Sequence, residues 1–515
     1  MHVKELVISG WESLRDGSLM LQLAVASAVC AAFLLLWLRQ VKFGSMRKIP
    51  GPWYLKLTTL FVKYHELNGS QSLWVHRLHL RYGPVVQIAS NEISFASYTS
   101  SKQIYSNGNK DFRKTELYHG FVLLALVLVT KWNAKIWPYS NLFTALDPEK
   151  HSEIRRQLAD RYSNSTVLKS KIMEAIAERA QTFVDVCTQT NSADLYLLLH
   201  AYALDCVTAM VFYPLGTSSL AGEKDREMVR LLSYSNSRYS FFLNHYSPFL
   251  NKIFALFAPA SLNSEKGGTM IRDYVYSQLT QGGQADFTLA ARLHSLHNFP
   301  IDLAVSECLD HIGAGIETTG DTLCWLFWAL SQPEHQDRVA KLHDELVNAS
   351  PDQGLESLPY LGAVVQEALR LWAPGTIVLP RYVPDEGRHI DGYFIPGHTI
   401  VGCTSYSMHR IDKSVWPDAD DFAPERWLDA DGNTDRQRNF FAFGLGARTC
   451  IGKHLAMAEM RVVLNAVYTK YRTKPAHDMT ASMEMDDQVL TSRPKGMRCK
   501  VEFVPWDKAH RFSSI

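Results

Sequence analysis

The most constraining feature of the sequence is a glycine-rich loop over 443–452, which reads Phe-Gly-Leu-Gly-Ala-Arg-Thr-Cys-Ile-Gly. It places Cys450 directly ahead of a helix-like stretch over 453–463. A thiolate in such a loop can bind a metal, and the glycines let the backbone approach a flat cofactor and leave N–H groups free to point at the sulfur. Arg448 can pair with an anionic group of the same cofactor. The alternative is a tight turn around a buried, inert cysteine.

A second feature lies inside the long apolar helix that the pattern predicts over 306–330, where residues 314–319 read Ala-Gly-Ile-Glu-Thr-Thr. A glycine in mid-helix costs about 1 kcal/mol relative to alanine. Adjacent threonines can divert backbone hydrogen bonds and bend the helix. We expect Gly315 to open a groove beside a cofactor; the alternative is a kinked structural helix with a capping carboxylate.

Two arginine–carboxylate motifs complete the pattern. Glu367-Ala368-Leu369-Arg370 places Glu367 and Arg370 on one helix face, since residues three apart are neighbours on a helix. Further along stands Phe-Ala-Pro-Glu-Arg-Trp over 422–427, which contains Arg426. An exposed Glu–Arg pair alone would contribute only a few tenths of a kcal/mol.

Taken together, the loop, the Glu-Thr pair and the two arginine motifs resemble the cytochrome P450 family over residues 53–515. The resemblance implies haem b whose iron is bound by the Cys450 thiolate, a ligand that favours O–O cleavage. It also implies that Thr318 donates a hydrogen bond toward dioxygen and that Glu317 relays protons from solvent. Glu367, Arg370 and Arg426 are expected to form a buried triad behind the haem loop.

The resemblance further assigns residues that contact the haem. From the loop these are Phe443, Gly444, Gly446, Arg448 and Gly452. The candidate propionate ligands elsewhere are Arg381, Arg155 and His151, with His151 standing where the family often has tryptophan. His409 and Arg410 are also placed near a propionate, and for any one of these side chains a solvated surface position is the alternative.

The expected fold is mainly α with minor β, an α+β cytochrome P450 fold with its long central helix over the haem. Apolar spacing predicts mostly helix between 150 and 375. A strand is expected in Val85-Val86-Gln87-Ile88-Ala89, and a strand pair in 389–394 and 399–403 joined through Pro396-Gly397. No linker divides residues 53–515, which we interpret as one haem-thiolate catalytic domain.

The N-terminus predicts one transmembrane helix over 19–38, because these 20 residues carry no charge and about 20 apolar residues span a bilayer. The basic cluster that follows places the C-terminal side in the cytosol. We therefore expect a lumenal segment over 1–18, an anchor over 19–38, a basic and proline-rich linker over 39–52, and a single-pass location in the endoplasmic reticulum membrane. A cleaved signal peptide is the alternative.

Composition limits the possible partners. The formal net charge of +1 gives no sign of a nucleic-acid partner. Eight scattered cysteines without a C-x-x-C pair argue against a disulfide framework and a structural zinc cluster. Since no flavin or nicotinamide motif is present, electrons must come from outside, and microsomal relatives use an NADPH-dependent diflavin reductase. Arg448, Lys453, His454 and Arg461 are candidates for its docking face.

One segment departs from the family. Residues 121–130 read Phe-Val-Leu-Leu-Ala-Leu-Val-Leu-Val-Thr, in the region that lies over the haem in the family. Nine apolar residues cannot span a bilayer as a helix. The segment could line the substrate pocket or dip into the membrane surface. Alternatively, residues 121–140 could be non-coding sequence translated through a faulty gene assignment, which the pattern slightly favours.

These features predict a membrane-anchored haem-thiolate monooxygenase that inserts one atom of O2 into a lipophilic small molecule. Similarity to fungal members suggests a tailoring step in secondary-metabolite biosynthesis. Two alternatives stay open: a haem-thiolate isomerase or dehydratase, against which the intact Glu317-Thr318 pair speaks, and a haem-binding homologue impaired by the 121–140 insert.

Overall fold

The computed structural model describes residues 20–22, 24–35, 37–106, 111–121, 140–235, 238–257, 265–296, 299–350 and 352–506. It is 58% helical and 9% strand, which confirms the predicted mainly α composition with minor β. The predicted lumenal segment over 1–18 lies outside the described residues.

Helices form most of the chain and surround one large core. The α-helices are α1 (Met20–Leu35), α2 (Leu60–Asn68), α3 (Gln71–Tyr82), α4 (Tyr98–Tyr105), α5 (Pro148–Leu158), α6 (Asn164–Val167), α7 (Ser170–Thr188), α8 (Leu195–Phe212), α9 (Glu223–Ser233), α10 (Arg238–Tyr246), α11 (Pro248–Phe257), α12 (Glu265–Gln281), α13 (Leu289–Ser295), α14 (Ile301–Ser331), α15 (Gln336–Asn348), α16 (Pro359–Leu371), α17 (Ser405–Met408), α18 (Asn433–Asn439) and α19 (Lys453–Tyr468).

The strands form small sheets at the edge of the helical body. They are β1 (Val85–Ala89), β2 (Glu92–Phe95), β3 (Ala193–Asp194), β4 (Arg381–Tyr382), β5 (Arg388–Ile390), β6 (Tyr393–Ile395), β7 (Ile400–Cys403), β8 (Tyr471–Pro475), β9 (Met485–Asp487), β10 (Ser492–Pro494) and β11 (Lys500–Pro505). The four-stranded sheet has the order β1-β2-β7-β4, and β3-β11-β8 form a three-stranded sheet. The strand predicted at Val85–Ala89 is therefore confirmed.

The predicted pairing of 389–394 with 399–403 is wrong. Segment 388–395 is a hairpin by itself, since β5 pairs with β6 through Ile390 and Tyr393. Its two turn residues, Asp391 and Gly392, have φ of 47° and 83°. Two consecutive positive φ values are those of a type I′ hairpin turn. β7 instead pairs in parallel with β2 and antiparallel with β4.

The long helix α14 lies at the centre of the fold and packs along α8. The sequence predicted this long helix over 306–330, and it begins at Ile301 and ends at Ser331. α8 is apolar on nearly every face because neighbouring helices cover it, so 16 of its 18 residues are buried.

Among the described helices, only α8 is long and apolar enough to cross a bilayer, and 89% of it is buried inside the protein. It is therefore a core helix. Within the predicted anchor, α1 is a shorter apolar helix whose described side chains are exposed, and Leu38–Lys42 forms a π-helical turn after it.

Candidate active site

The cysteine loop presents backbone amides to its own sulfur. The N–H groups of Gly452 and Lys453 hydrogen-bond to the Cys450 sulfur. The Cys450 N–H in turn donates to the Phe443 carbonyl at 2.9 Å, which closes the loop. Since α19 begins at Lys453, the sulfur also lies at the positive end of a helix dipole. The sequence predicted this arrangement from the glycines.

The Cys450 side chain borders open space that the protein encloses. The residue is exposed to this space, yet the surrounding protein desolvates the thiol and raises its pKa, with opposing effects from the two amides and from Arg155 and Lys453. Without a metal such a thiol stays protonated near neutral pH. A bound metal cation deprotonates a coordinating thiol, and the amide donors then stabilise the thiolate.

The two loop glycines at 444 and 446 serve different purposes. Both have positive φ, 68° for Gly444 and 76° for Gly446. A Cβ at Gly444 would have no atom within 4 Å, so the backbone there borders open space. A Cβ at Gly446 would lie 1.7 Å from the Tyr105 carbonyl oxygen. The close approach that Gly446 allows on its Cβ side is therefore to α4, and its assignment as a cofactor contact stays a prediction.

On α14 the open position differs from the predicted one. A Cβ on Gly315 would lie 2.8 Å from Val207 Cγ2, so this glycine lets α8 pack closely. The expected groove at Gly315 is therefore wrong. Gly313 and Ala314 are exposed although they lie in the middle of a central helix, and a Cβ on Gly313 would meet nothing within 4 Å.

Thr318 and Glu317 follow directly on α14. The Thr318 hydroxyl donates to the Ala314 carbonyl at 2.6 Å. Burial raises the pKa of Glu317, with a further increase from Asp321 and opposing effects from Arg493 and His200. The carboxyl also hydrogen-bonds with the Thr491 side chain. Glu317 therefore holds a proton more readily than an ordinary glutamate.

A group of basic side chains converges beside the cysteine loop, and we call it the basic cluster. It consists of Lys114, His151, Arg155, Arg381 and Arg448. Within the described part of the chain, none of them forms an ion pair with a carboxylate. Their donors go to neutral oxygens instead.

The basic contacts are specific. Arg448 donates to the carbonyls of Ala145 and Leu146 at 2.8 and 3.0 Å. Arg155 donates to the Thr449 carbonyl at 2.8 Å, next to Cys450. Arg381 donates to the Tyr118 hydroxyl at 2.9 Å. Lys114 bonds to the Phe143 carbonyl and lies over the rings of Tyr118 and Phe143, at 4.2 and 4.5 Å from their centroids.

Burial and repulsion between neighbouring cations lower the pKa values of three members of the basic cluster. Burial and then Arg381 and Arg448 lower the pKa of Lys114. Burial and then Arg448, Lys114, Arg155 and Arg381 lower the pKa of His151 to about 3. Burial and then Arg381 lower the pKa of Arg448 to about 10. His151 is therefore neutral near pH 7, whereas Arg381, Arg448 and Arg155 are cations in buried or half-buried positions. Because unpaired cations in such positions are costly, the cluster favours binding of an anion.

His409 and Arg410, placed near a propionate from the sequence, have structural roles instead. The His409 ring is fully buried, donates from Nδ1 to the Arg370 carbonyl at 2.8 Å and accepts the Phe441 N–H at Nε2 at 2.8 Å. Arg410 donates to the Leu371 carbonyl and pairs with Asp420, both at 2.9 Å. The hydrogen-bonding groups of both side chains are thus engaged by other protein groups, and the predicted position near a propionate is wrong.

The triad of Glu367, Arg370 and Arg426 is confirmed. Arg370 makes two bonds to Glu367, at 2.8 and 2.9 Å, and Arg426 a third at 3.0 Å. The Trp427 indole and the Ala423 N–H add further bonds to the same carboxylate at 2.9 Å. Because His409 joins Arg370 to Phe441, the triad supports the cysteine loop two residues further on.

Lys114 and Tyr118 were missed by sequence reasoning. An isolated β-bridge pairs Lys114 with Arg381, so the two basic residues meet although they are far apart in sequence. The local sequence Arg113-Lys114-Thr115-Glu116 is polar and carries no signal beyond that of an ordinary protein surface.

The site fits a haem on three structural grounds. Amide donors lie at a desolvated cysteine sulfur, and open space borders Cys450, Gly444 and Gly313-Ala314. Beside the cysteine loop lie buried or half-buried cations with no carboxylate partner among the described residues, which suits a group that carries carboxylates. A helical fold with a central helix and a loop of this kind defines the haem-thiolate proteins. The chain belongs to the cytochrome P450 family: the family model described as "Cytochrome P450" matches residues 49–501.

Curated relatives agree with the family. The chain is similar to the cytochrome P450 monooxygenase stcB of Emericella nidulans, with 28% identity and 90% of each chain covered. It is 29% identical to the monooxygenase hepC of Aspergillus oryzae, over 82% of this chain and 87% of the relative. It is 28% identical to a pisatin demethylase of Fusarium vanettenii, over 89% of this chain and 90% of the relative. The protein is a cytochrome P450 monooxygenase, of a family that binds haem iron through a cysteine thiolate.

Proposed function

We propose that this chain is a membrane-anchored monooxygenase that uses Cys450 as the axial ligand and inserts one atom of O2 into a lipophilic small molecule. The observation that carries the proposal is the desolvated Cys450 sulfur, held by the amides of Gly452 and Lys453 beside the basic cluster. The mainly helical fold around α14 and the matching family model support it.

The loop and the basic cluster would hold the haem. Phe443, Gly444, Gly446 and Gly452 would line the loop side, and Arg381, Arg448, Arg155 and His151 would bind its carboxylates together with Lys114. When bound, the haem supplies the redox chemistry that activates O2. The chain's own residues orient it, exclude water and deliver protons.

Proton delivery would use Glu317 and Thr318. The Thr318 hydroxyl donates its hydrogen to the Ala314 carbonyl. In this rotamer the hydroxyl oxygen can therefore only accept a further hydrogen bond. To donate, the hydroxyl must rotate and break its 2.6 Å bond. Glu317, whose pKa is raised by burial, is the acid that restores the proton.

The substrate is expected to be lipophilic, and the reaction a tailoring step in fungal secondary metabolism. Named relatives include a pisatin demethylase, and each name describes that relative only. Residues 19–38 would anchor the protein in the endoplasmic reticulum membrane with the catalytic domain in the cytosol. Electrons would come from an NADPH-dependent diflavin reductase. Lys453 and His454 are exposed and suit its docking, whereas the bonds of Arg448 point inward.

The test is the absorption spectrum of the dithionite-reduced protein under carbon monoxide. We expect a strongly red-shifted Soret band in the full chain and its loss in Cys450→Ser. Cys30→Ser is the matched control, because Cys30 and Cys450 are the exposed cysteines of the described residues. Well-folded protein without haem, or an unchanged band in Cys450→Ser, would overturn the proposal.

The same preparation separates the alternatives. Product formation that depends on NADPH, reductase and O2 supports the monooxygenase. Conversion of a peroxide substrate without them would instead identify an isomerase or dehydratase. Haem retention without reductase-dependent oxygen consumption would identify an impaired homologue.

A further inference from the structure

One turn beyond Glu317, α14 carries a second buried carboxyl, Asp321. His200 on α8 faces it, with Nε2 3.4 Å from Asp321 Oδ1. The two side chains are 0% and 3% exposed. Neither residue belongs to the motifs that identify the family in this sequence.

The hydrogen bonds of His200 determine where its protons lie. Nδ1 is 2.6 Å from the Tyr196 carbonyl, and a carbonyl only accepts, so Nδ1 carries a hydrogen. Nε2 and Asp321 Oδ1 have no hydrogen-bond partner among the described residues, and their own separation of 3.4 Å is longer than an ordinary hydrogen bond. A bare imidazole nitrogen and a carboxylate oxygen would both be acceptors. A further proton, on the nitrogen or on the oxygen, would turn this repulsive pair into a hydrogen-bonded one after a small movement of either side chain.

Gly320 on α14 leaves room for the His200 imidazole. A Cβ at Gly320 would lie 2.8 Å from His200 Cγ and Cδ2, so only glycine lets the ring lie against α14 at this point. A mid-helix glycine costs about 1 kcal/mol relative to alanine. The close packing of His200 against Gly320 offsets this cost of a glycine in the helix.

Glu317 and Asp321 are four residues apart on one helix, so they lie on the same face with Cβ atoms about 5–6 Å apart. The charged and titratable groups that act on them come from three elements: His200 and Tyr196 on α8, Arg493 on β10, and the two carboxyls of α14. Arg493 is itself held by the carbonyls of Ser233 and Ser235 at 3.2 and 2.9 Å.

Both partners bind the proton more tightly than usual. Burial raises the pKa of Asp321, against the lowering effects of His200 and Arg493. Burial alone would lower the pKa of His200, but the charge and hydrogen bond of Asp321 raise it overall. The pair as a unit keeps its shared proton at pH values where an exposed aspartate has lost it.

We propose that His200 and Asp321 form a proton relay that returns a proton to Glu317 each time Glu317 has passed one to Thr318. The shared proton moves to the Glu317 carboxylate, which leaves neutral His200 beside the Asp321 carboxylate. Net uptake of one proton from bulk solvent then restores the pair. Neither side chain touches the reacting centre, so both act through Glu317. This inference rests on the proposed function.

The decisive variant is Asp321→Asn, which keeps the volume of the side chain and removes the titratable proton. Asp321→Glu is the conservative rescue. Asp205→Asn is the matched control, because Asp205 is a buried carboxyl on α8 that bonds to Thr217, Ser219 and Leu220 and not to His200. Every variant is first required to give the thiolate band under carbon monoxide.

The kinetic readout is reductase-driven NADPH oxidation in H2O and in D2O. Loss of a positioned proton donor costs about 10²- to 10⁴-fold where proton transfer limits the rate. We expect Asp321→Asn to slow oxidation at least tenfold, to raise the solvent isotope effect and to shift the pH profile, with partial recovery in Asp321→Glu. Asp205→Asn should leave the isotope effect unchanged.

A second readout needs no turnover. In ¹⁵N-histidine-labelled ferrous carbon monoxide complex, the His200 resonance is assigned with His200→Gln. We expect Asp321→Asn to convert His200 to the neutral tautomer with hydrogen on Nδ1 over the pH range in which the wild type keeps a shared proton. Unchanged His200 shifts together with unchanged isotope effects would overturn the relay. Failure of the wild type to give the thiolate band would overturn the proposed function instead.

Discussion

His409 joins the cysteine loop to the helix that carries Arg370. Because its Nδ1 donates to the Arg370 carbonyl and its Nε2 accepts the Phe441 N–H, the ring must be neutral in the folded protein. Burial lowers its pKa from 6.5 to about 3. His79 behaves similarly, with a pKa lowered to about 4 by burial while it bonds to Gly83 and Ser94.

Acid should therefore destabilise the fold through these histidines. Between pH 3 and 6.5 the unfolded chain binds a proton at His409 that the folded chain does not, so the free energy of unfolding rises with pH in this window. His409→Gln, whose amide can donate and accept at the same positions, should reduce the slope by about 1.4 kcal/mol per pH unit. Urea unfolding at several pH values measures this, with the exposed His389→Gln as control. Equal slopes in wild type and His409→Gln would contradict it.

A substitution of the single residue Lys114 tests whether the basic cluster binds the haem carboxylates. Burial, Arg381 and Arg448 lower its pKa, so its charge is unfavourable until an anion binds. We expect Lys114→Met to weaken haem retention while the haem-free protein loses no more than about 1 kcal/mol, since replacing a buried charge by an apolar side chain of similar size is often neutral or stabilising. Haem titration and chemical unfolding measure the two effects, and the exposed Lys102→Met is the control. Equal losses in both assays would show a purely structural role.

At the scale of the element, α14 uses its glycines for two purposes. Gly315 lies against Val207 on α8, whereas Gly313 borders open space. The sequence pattern treats both as mid-helix glycines. Only the rotation of α14 relative to α8 decides which one packs.

The two glycines should respond oppositely to alanine. Gly315→Ala places a Cβ 2.8 Å from Val207 Cγ2 and is expected to destabilise by about 1–3 kcal/mol, with recovery when combined with Val207→Ala. Gly313→Ala meets nothing within 4 Å and should stabilise the helix by up to about 1 kcal/mol. Thermal unfolding of the single and double variants measures this. Destabilisation by Gly313→Ala would contradict the assignment of the open face.

The contact between α16 and the Pro-Glu-Arg-Trp turn depends on one carboxylate. Glu367 accepts bonds from Arg370, Arg426 and Trp427 and is fully buried. Glu367→Gln strands two arginines and should cost about 3–5 kcal/mol. Glu425→Gln is the matched control from the same turn, since Glu425 is 39% exposed and pairs with surface cations, for an expected loss of about 0–1 kcal/mol. Similar losses in the two variants, measured by urea unfolding, would contradict the proposed support of the loop.

At the scale of the whole molecule, the described residues on both sides of the 121–140 segment belong to the folded body. Residues 122–139 lie outside the described residues. On its flanks Phe121 and Phe143 are in contact, with ring centroids 5.3 Å apart, and Phe121 also packs on Phe241 at 4.9 Å. The chain on either side of the segment is therefore held together by the described core.

Deleting 121–140 should preserve or improve folding, because the flanking aromatic contacts of Tyr118 with Phe143 persist and an uncharged apolar segment prone to aggregation is removed. Soluble yield and haem content per chain are the measurements. A deletion of 122–139 that keeps Phe121 serves as control for the loss of its ring contacts. Loss of haem in both deletions, with haem retained by the full chain, would show that the segment is a genuine part of the site.

The sequence by itself determined the family, the mainly helical class, the long helix and the amide-lined cysteine, because each depends on local spacing: a loop ahead of a helix, apolar periodicity and residues three or four apart. Tertiary structure alone decided that Gly446 faces α4, that Gly315 faces Val207 and that His409 and Arg410 are structural. It also decided that Lys114 lies beside Arg381 and that His200 faces Asp321. These outcomes depend on contacts between segments distant in sequence, whose relative rotation and register arise only when the core packs.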